Sequence, residues 1–263
     1  YNARDPFISP FRHPAAGFIS MNILFIGGGN MAAAIIGGLV GRGRQPSTLQ
    51  AVDVLPEARA RLEQQFGIRT SADPAAAAAG ADCIVLAVKP QQMREVAAAL
   101  APALKGQLVI SIAAGIRGSD LARWLGGHAA IVRAMPNTPA LVAAGITGLH
   151  ALPGVSAQQR SDAEGVLAAV GGTFWVDEES ALDAVTAVSG SGPAYVFYFI
   201  EALEQAALEL GLPAEVARQS ALQTFAGAVK LAATGDADPA TLRARVTSKG
   251  GTTERAIGAL DAA

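Results

Sequence analysis

Apolar residues fall along this chain in two rhythms, and the change from one to the other divides it. Asn22 to Ile26 is a short apolar run ending in three glycines, and Met31 to Val40 continues with Ala, Ile and Leu. That is strand, tight turn, helix. Gln50 to Val54 reads as a second strand, Glu57 to Phe66 as a helix with an outer face of arginines and glutamates, and Ala75 to Ala79 as a weak helix. Cys83 to Val88, Leu108 to Ile112 and Ile131 to Met135 read as further strands, with a short helix at Ser119 to Leu125. Such alternation predicts a mostly parallel sheet covered on both faces. After about residue 180 the pattern turns helical, in Ser180 to Gly211 and Pro213 to Ala233, with no convincing strand. The expectation is an α/β domain over 21–178 and an all-α domain over 179–263. Residues 1–20 are expected to be an extension outside the fold.

The helical part opens on Tyr195, Val196, Phe197, Tyr198, Phe199 and Ile200, apolar on more than one face. One small domain seldom surrounds such a helix, so the pattern predicts a homodimer built on it. Composition agrees with two domains: 51% of the 263 residues are hydrophobic and 16% charged. With 20 Lys and Arg against 22 Asp and Glu, the chain shows no electrostatic footprint for nucleic acid or an anionic membrane. Its partner is expected to be a small molecule. The Ala184 to Ile200 stretch is too short for a membrane span. The one cysteine, Cys83, sits in an apolar run, fitting a buried residue in a reducing compartment and a cytoplasmic protein.

Two glycine-rich turns carry the candidate chemistry. Gly27, Gly29 and Ala32 have the G-x-G-x-x-A spacing directly after a strand and at the start of a helix, the dinucleotide fingerprint of a Rossmann domain. Asp53, at the end of the second strand, suits a ribose hydroxyl and favours NADH, because a 2′-phosphate beside it would meet like charge. Val54 and Leu55 add no cation, and Arg59 and Arg61 are expected to face solvent. Ala87, Val88, Lys89 and Pro90 close a strand at the edge where parallel sheets bind ligands, with Lys89 a strand-end cap rather than a catalytic group. Asn137 lies between Pro136 and Pro139 in a loop after another strand. The second turn is Val246 to Glu254, where two glycines precede Thr-Thr-Glu and an apolar helical pattern. Free amides and hydroxyls at a helix start suit a small anion, and Ser248 and Thr253 also suit helix caps.

Five motifs in register carry a resemblance. Gly-Gly-Gly-Asn-Met-Ala at 27–32, Ala-Val-Lys-Pro at 87–90, Met-Pro-Asn-Thr-Pro at 135–139, Ser-Gly-Ser-Gly-Pro-Ala-Tyr at 189–195 and Thr-Ser-Lys-Gly-Gly-Thr-Thr at 247–253 together resemble pyrroline-5-carboxylate reductase. The resemblance implies reduction of 1-pyrroline-5-carboxylate to L-proline with NADPH or NADH, and a helical domain that intertwines with a second subunit. It places the cofactor on Ile26, Gly27, Gly28, Gly29, Asn30, Met31 and Ala87–Pro90. It places the substrate on Ser248, Gly251, Thr252 and Thr253, with Thr253 at the imine nitrogen; Asn137 joins them as a candidate substrate contact. Family members usually continue by a further helix beyond the position of Ala263. The chemistry requires no metal, and His13, His128 and His150 show no ligand spacing. Two other readings stay open: a 3-hydroxyacid dehydrogenase using Lys230 as acid or base, and a dinucleotide-binding protein without turnover.

Overall fold

The computed structural model describes residues 21–262; the expected extension over 1–20 lies outside the described residues. Residues 21–194 form one compact unit and 195–262 a second.

In the first unit, the predicted alternation appears as β1 (Ile23–Ile26), α1 (Asn30–Gly41), β2 (Leu49–Val52), α2 (Pro56–Phe66), β3 (Arg69–Ser71), α3 (Pro74–Ala78), β4 (Cys83–Leu86), α4 (Pro90–Leu100), β5 (Leu108–Ser111), α5 (Gly118–Trp124) and β6 (Ile131–Met135). Then follow β7 (Gly145–Ala151), α6 (Ala157–Leu167), β8 (Gly171–Trp175) and α7 (Ala181–Val185). The strands make one eight-stranded sheet in the order β3-β2-β1-β4-β5-β6-β7-β8. All neighbours are parallel except β6 and β7, which run antiparallel with Arg133 opposite His150.

Alternating side chains of β1 show why the central strands are apolar throughout. Ile23 and Phe25 enter a core with Ile35, Ile36 and Leu39 of α1, while Leu24 and Ile26 enter another with Met93 and Leu100 of α4. Helices cover both faces, so neither side chain direction meets water. Cys83 is fully buried in the first of these cores, as its apolar surroundings predict. Burial pushes its thiol far above the usual range, so it is no nucleophile.

The apolar pattern does not predict β3, α4, β7, α6 or β8. β3 is a three-residue edge strand with Arg69 exposed, and β7 carries Gly145 and Gly148, so neither shows a clean apolar period. The helical stretch from Ser180 is divided at its glycines: α7 passes into a π-helical turn at Thr186–Gly190 before α8 (Gly192–Glu209) begins.

The second unit continues α8 from Tyr195 and adds α9 (Ala214–Thr234), α10 (Pro239–Arg245) and α11 (Thr252–Asp261). It contains no strand among its described residues. Its large apolar side chains lie on the surface of the single chain: Phe197 is 63% exposed, Tyr198 68% and Leu231 58%, whereas only small Ala217 and Ala221 are buried in α9. No helix of the described residues is long and apolar enough to cross a membrane.

Candidate active site

The chain leaves β1 toward β2 on one side and later returns to β4 on the other, so the strand order reverses beside β1 and opens a crevice at the carboxyl ends of these strands. Gly27 continues the strand there, donating its N–H to Val52 O at 2.8 Å, while Ala87 N–H donates to Ile26 O at 2.8 Å. Its φ of +102° lies in the region that favours glycine, and a Cβ would stand 2.7 Å from Ala87 O. Gly29 is the reverse case: a Cβ there would meet nothing within 4 Å, so that face of the turn is open for a large group. Gly29 is also the N-cap of α1, in extended backbone with no capping side chain, leaving the first amides of Asn30 and Met31 available to an anion. Ala32 is fully buried where the helix turns against the sheet. A pyrophosphate fits such a turn.

Across the crevice, Ala87 and Val88 are half-buried, Lys89 is the exposed N-cap of α4, and Pro90 takes its first position. These residues and the glycine turn stand together, as the sequence implies.

Asp53 stands beside the turn and faces inward. Its Oδ2 accepts the Gly28 N–H at 2.7 Å, and Oδ1 accepts the Leu55 N–H at 2.9 Å, an Asx turn before Pro56. Arg59 is half-buried, against expectation, and Arg61 is exposed as expected, yet both reach back to the loop. Arg59 Nη1 donates to Asp53 O at 2.7 Å and Val54 O at 3.2 Å, and Arg61 Nη2 donates to Gly28 O at 2.7 Å. α2 passes directly over the loop, with Leu62 also packed beneath Gly28, and the unmet carbonyls of the loop draw both guanidinium groups back.

Asn137 follows β6 and is buried. Its Oδ1 accepts the Ile146 N–H at 2.9 Å and its Nδ2 donates to Ser189 O at 3.1 Å. The carboxamide therefore ties the proline-bounded loop to the start of β7 and to the π-helical turn.

Sequence reasoning missed an ion pair on β6. Arg133, on β6 and only 6% exposed, donates to Glu179 Oε1 at 2.7 Å, and the same oxygen accepts the Gly118 N–H at 2.6 Å. Partial burial alone would raise the Glu179 carboxyl, but the Gly118 N–H and the Arg133 guanidinium outweigh it and hold the group below the usual range. Arg117 pairs with Asp183 at 2.6 Å nearby, where both side chains are exposed. An arginine inside an otherwise apolar strand was the available signal for this clasp.

In the second unit the chain turns after α10 through Ser248, Lys249 and Gly250, whose φ is +73°. Gly251 donates its N–H to Ser248 O at 3.0 Å and becomes the N-cap of α11, with no side-chain cap. Thr252 and Thr253 occupy the first two helical positions, so neither Ser248 nor Thr253 is the cap that turn preferences suggested. Glu254 Oε2 accepts the Gly250 N–H at 2.7 Å and locks the loop. Ser248, Gly251, Thr252 and Thr253 are therefore gathered at one helix start. Among the described residues no group of three His, Cys, Asp or Glu stands where it could hold a metal ion.

A pyrroline-5-carboxylate reductase of Pseudomonas aeruginosa is 50% identical over 236 residues, covering 89% of this chain and 86% of that one. This chain belongs to the pyrroline-5-carboxylate reductase family. A structure of a pyrroline-5-carboxylate reductase from Coxiella burnetii matches with a TM-score of 0.86 at 42% identity, over 93% of this chain and 91% of that one. A pyrroline carboxylate reductase of Plasmodium falciparum with NADP bound matches with a TM-score of 0.82 at 27% identity, over 92% and 89% of the two chains. The family model "Pyrroline-5-carboxylate reductase dimerisation" matches residues 179–263, and "NADP oxidoreductase coenzyme F420-dependent" matches 22–115. The fold is a Rossmann-type α/β domain followed by a helical domain of this reductase family.

Proposed function

We propose that this chain reduces 1-pyrroline-5-carboxylate to L-proline, the last step of proline synthesis, with NADPH or NADH as reductant. The observation that carries the reading is the uncapped start of α11 at Gly251–Thr253, in a chain with 50% identity to a pyrroline-5-carboxylate reductase. The nicotinamide cofactor, when bound, supplies the hydride. Ile26–Met31 and Ala87–Pro90 hold it, with Asp53 fixing the glycine turn through Gly28.

The substrate carboxylate is received by the amides of Gly251, Thr252 and Thr253, where the helix dipole favours negative charge. Ser248 adds a hydroxyl, and Glu254, by taking the Gly250 N–H, keeps the loop in its receiving shape. The imine nitrogen takes its proton from solvent, and hydride addition to the carbon of the protonated C=N then gives the secondary amine. Thr253 hydrogen-bonds that nitrogen; its hydroxyl is too weak an acid to drive the protonation, so positioning carries most of the rate. Asn137 holds its own loop to Ser189 and Ile146 within the first unit.

The exposed aromatic face of α8 and the match to a dimerisation model support a homodimer. A lone buried cysteine suits action in the reducing cytoplasm.

Oxidation of NADPH or NADH on adding pyrroline-5-carboxylate as sole substrate tests the reaction. Thr253→Ala is expected to lower kcat/KM roughly tenfold to a hundredfold, the worth of a hydrogen bond to a charged partner, with Thr253→Ser recovering most of it. Lys230→Ala should match wild type. A larger loss at Lys230 than at Thr253 would support the hydroxyacid dehydrogenase reading instead, and no oxidation at all would support a non-catalytic binding protein.

A further inference from the structure

Charge in the second unit is sorted along its last two helices. The segment that joins α10 to α11 carries Arg243, Arg245, Lys249 and Arg255, all exposed, against one carboxylate, Glu254, which already holds the Gly250 N–H. The other acids of these helices stand at their far ends: Asp238 caps the start of α10, accepting the N–H and hydroxyl of Thr241, and Asp261 closes α11. At the rise of a helix they lie about 10 and 15 Å along the axes from the joining loop. The ion pairs among the described residues are Arg117–Asp183, Arg123–Asp120 and Arg133–Glu179, so none of the four cations is neutralised by a carboxylate there. Helix stability accounts for half of this arrangement. Arg243 and Arg245 sit in the last turn of α10, where the helix dipole favours cations. Lys249 and Arg255 flank the first turn of α11, where the same dipole disfavours them. Helical side chains lean toward the N-terminus, so Arg255 reaches back toward the amides of Gly251–Thr253. Cations gathered at the positive end of a helix oppose its stability until an anion arrives.

We infer that Arg243, Arg245, Lys249 and Arg255 form a cationic collar around the start of α11 that selects ring carboxylates of net negative charge over zwitterions. This rests on the reading above that the α11 start receives the substrate carboxylate. The selection separates substrate from product. An imine is a weaker base than an amine, so pyrroline-5-carboxylate with its ring nitrogen unprotonated is a net anion. The secondary amine of L-proline is protonated at neutral pH and leaves that molecule neutral overall. The collar draws the anion toward the site through its long-range field and exerts little pull on the zwitterion, so product departs without opposing it. One cation at about 10 Å in water changes the affinity for a unit charge about twofold, and the four act in the same direction.

Two rings of similar size and different charge test this without turnover: cyclopentanecarboxylate, a net anion, and L-proline, a zwitterion, each titrated calorimetrically into the full chain with NADPH present. Wild-type affinity for cyclopentanecarboxylate is expected to fall about tenfold as salt rises from about 0.02 to 0.5 M, where the screening length drops below 10 Å, and that for L-proline less than twofold. At low salt Lys249→Gln and Arg255→Gln should each weaken cyclopentanecarboxylate about twofold, and the fourfold glutamine variant about tenfold, with L-proline unchanged. Neither single variant should lower Tm, since each removes a cation from the positive end of α11. Thr252→Pro tests the underlying site by a separate route. Proline suits the first helical position after the extended Gly251, so the helix stands while one receiving amide is lost, and both ligands should weaken alike. Equal salt dependence of the two ligands, or equal losses for both in the glutamine variants, would overturn the inference. If Thr252→Pro leaves both affinities unchanged, the substrate-site reading fails and the inference with it; if Thr252→Pro weakens both but charge makes no difference, the inference alone fails.

Discussion

Gly27→Ala is expected to lower cofactor affinity about a hundredfold and to destabilise the first unit at the same time. Two costs add at this position. Alanine in the left-handed region costs about 1–2 kcal/mol, and forcing its Cβ to 2.7 Å from Ala87 O costs about 1–3 kcal/mol more in displaced backbone. Relief requires β1 and β4 to part at the very edge where Ala87–Pro90 and the glycine turn face each other, so stability and binding fall together. Gly29→Ala separates the two effects, because a Cβ there meets nothing within 4 Å. It should melt like wild type yet bind NADPH and NADH less well, since a methyl group intrudes on the open face that a pyrophosphate would approach. Thermal melting combined with cofactor titration checks both variants. Wild-type affinity in Gly27→Ala would show that the turn is not the cofactor site.

Glu179→Ala is expected to be the most destabilising single change among the charged residues. It strands Arg133, which is 6% exposed, and removes the acceptor of the Gly118 N–H. An uncompensated buried charge costs about 3–5 kcal/mol, which for a chain of this size lowers Tm by about 10 °C. Replacing both partners, as in Arg133→Met with Glu179→Leu, should recover much of that loss, because the stranded charge is gone. The pair also sets a pH dependence. Glu179 is held below its unfolded value, so its contribution is fully present above the ordinary glutamate range and is lost as pH falls through the depressed folded value. Glu179→Gln should therefore lose less stability than wild type between pH 5 and about 3. Parallel acid limbs for the two proteins would show that the clasp contributes no proton linkage.

Much of the fold was legible because its signals are local. The strand–glycine–helix order at 22–40, the buried strands at Cys83 and Leu108, and the helical character after 180 all appear where residue spacing placed them. What was not legible depends on contacts between distant segments. The hydrogen bonds of Arg59 and Arg61 to the loop were not legible, because helix spacing says nothing of the carbonyls that stand beside α2. Asn137 read as a candidate substrate contact in a rigid loop, and its carboxamide is engaged on one side by Ile146 of β7 and on the other by Ser189, nine and fifty-two positions away. The break in the Ser180–Gly211 stretch was signalled by the glycines and proline of Ser189–Pro193, whereas the π-helical form of the turn at Thr186–Gly190 depends on backbone hydrogen bonding that residue types do not encode. In the second site, the Gly250–Gly251 pair and the following threonines placed the start of α11 correctly, while the choice of Gly251 as N-cap followed from backbone geometry that hydroxyl preferences do not encode.

The uncovered aromatic face of α8 has a consequence for how much of this protein is folded at any moment. Tyr195, Phe197, Tyr198 and Phe199 are each more than half exposed in the single chain. In the proposed homodimer a second copy covers that face, so the free energy holding the helical unit together includes a term in the concentration of the chain itself. Dilution then acts as a mild denaturant, and the amount synthesised becomes one of the quantities that sets the melting temperature.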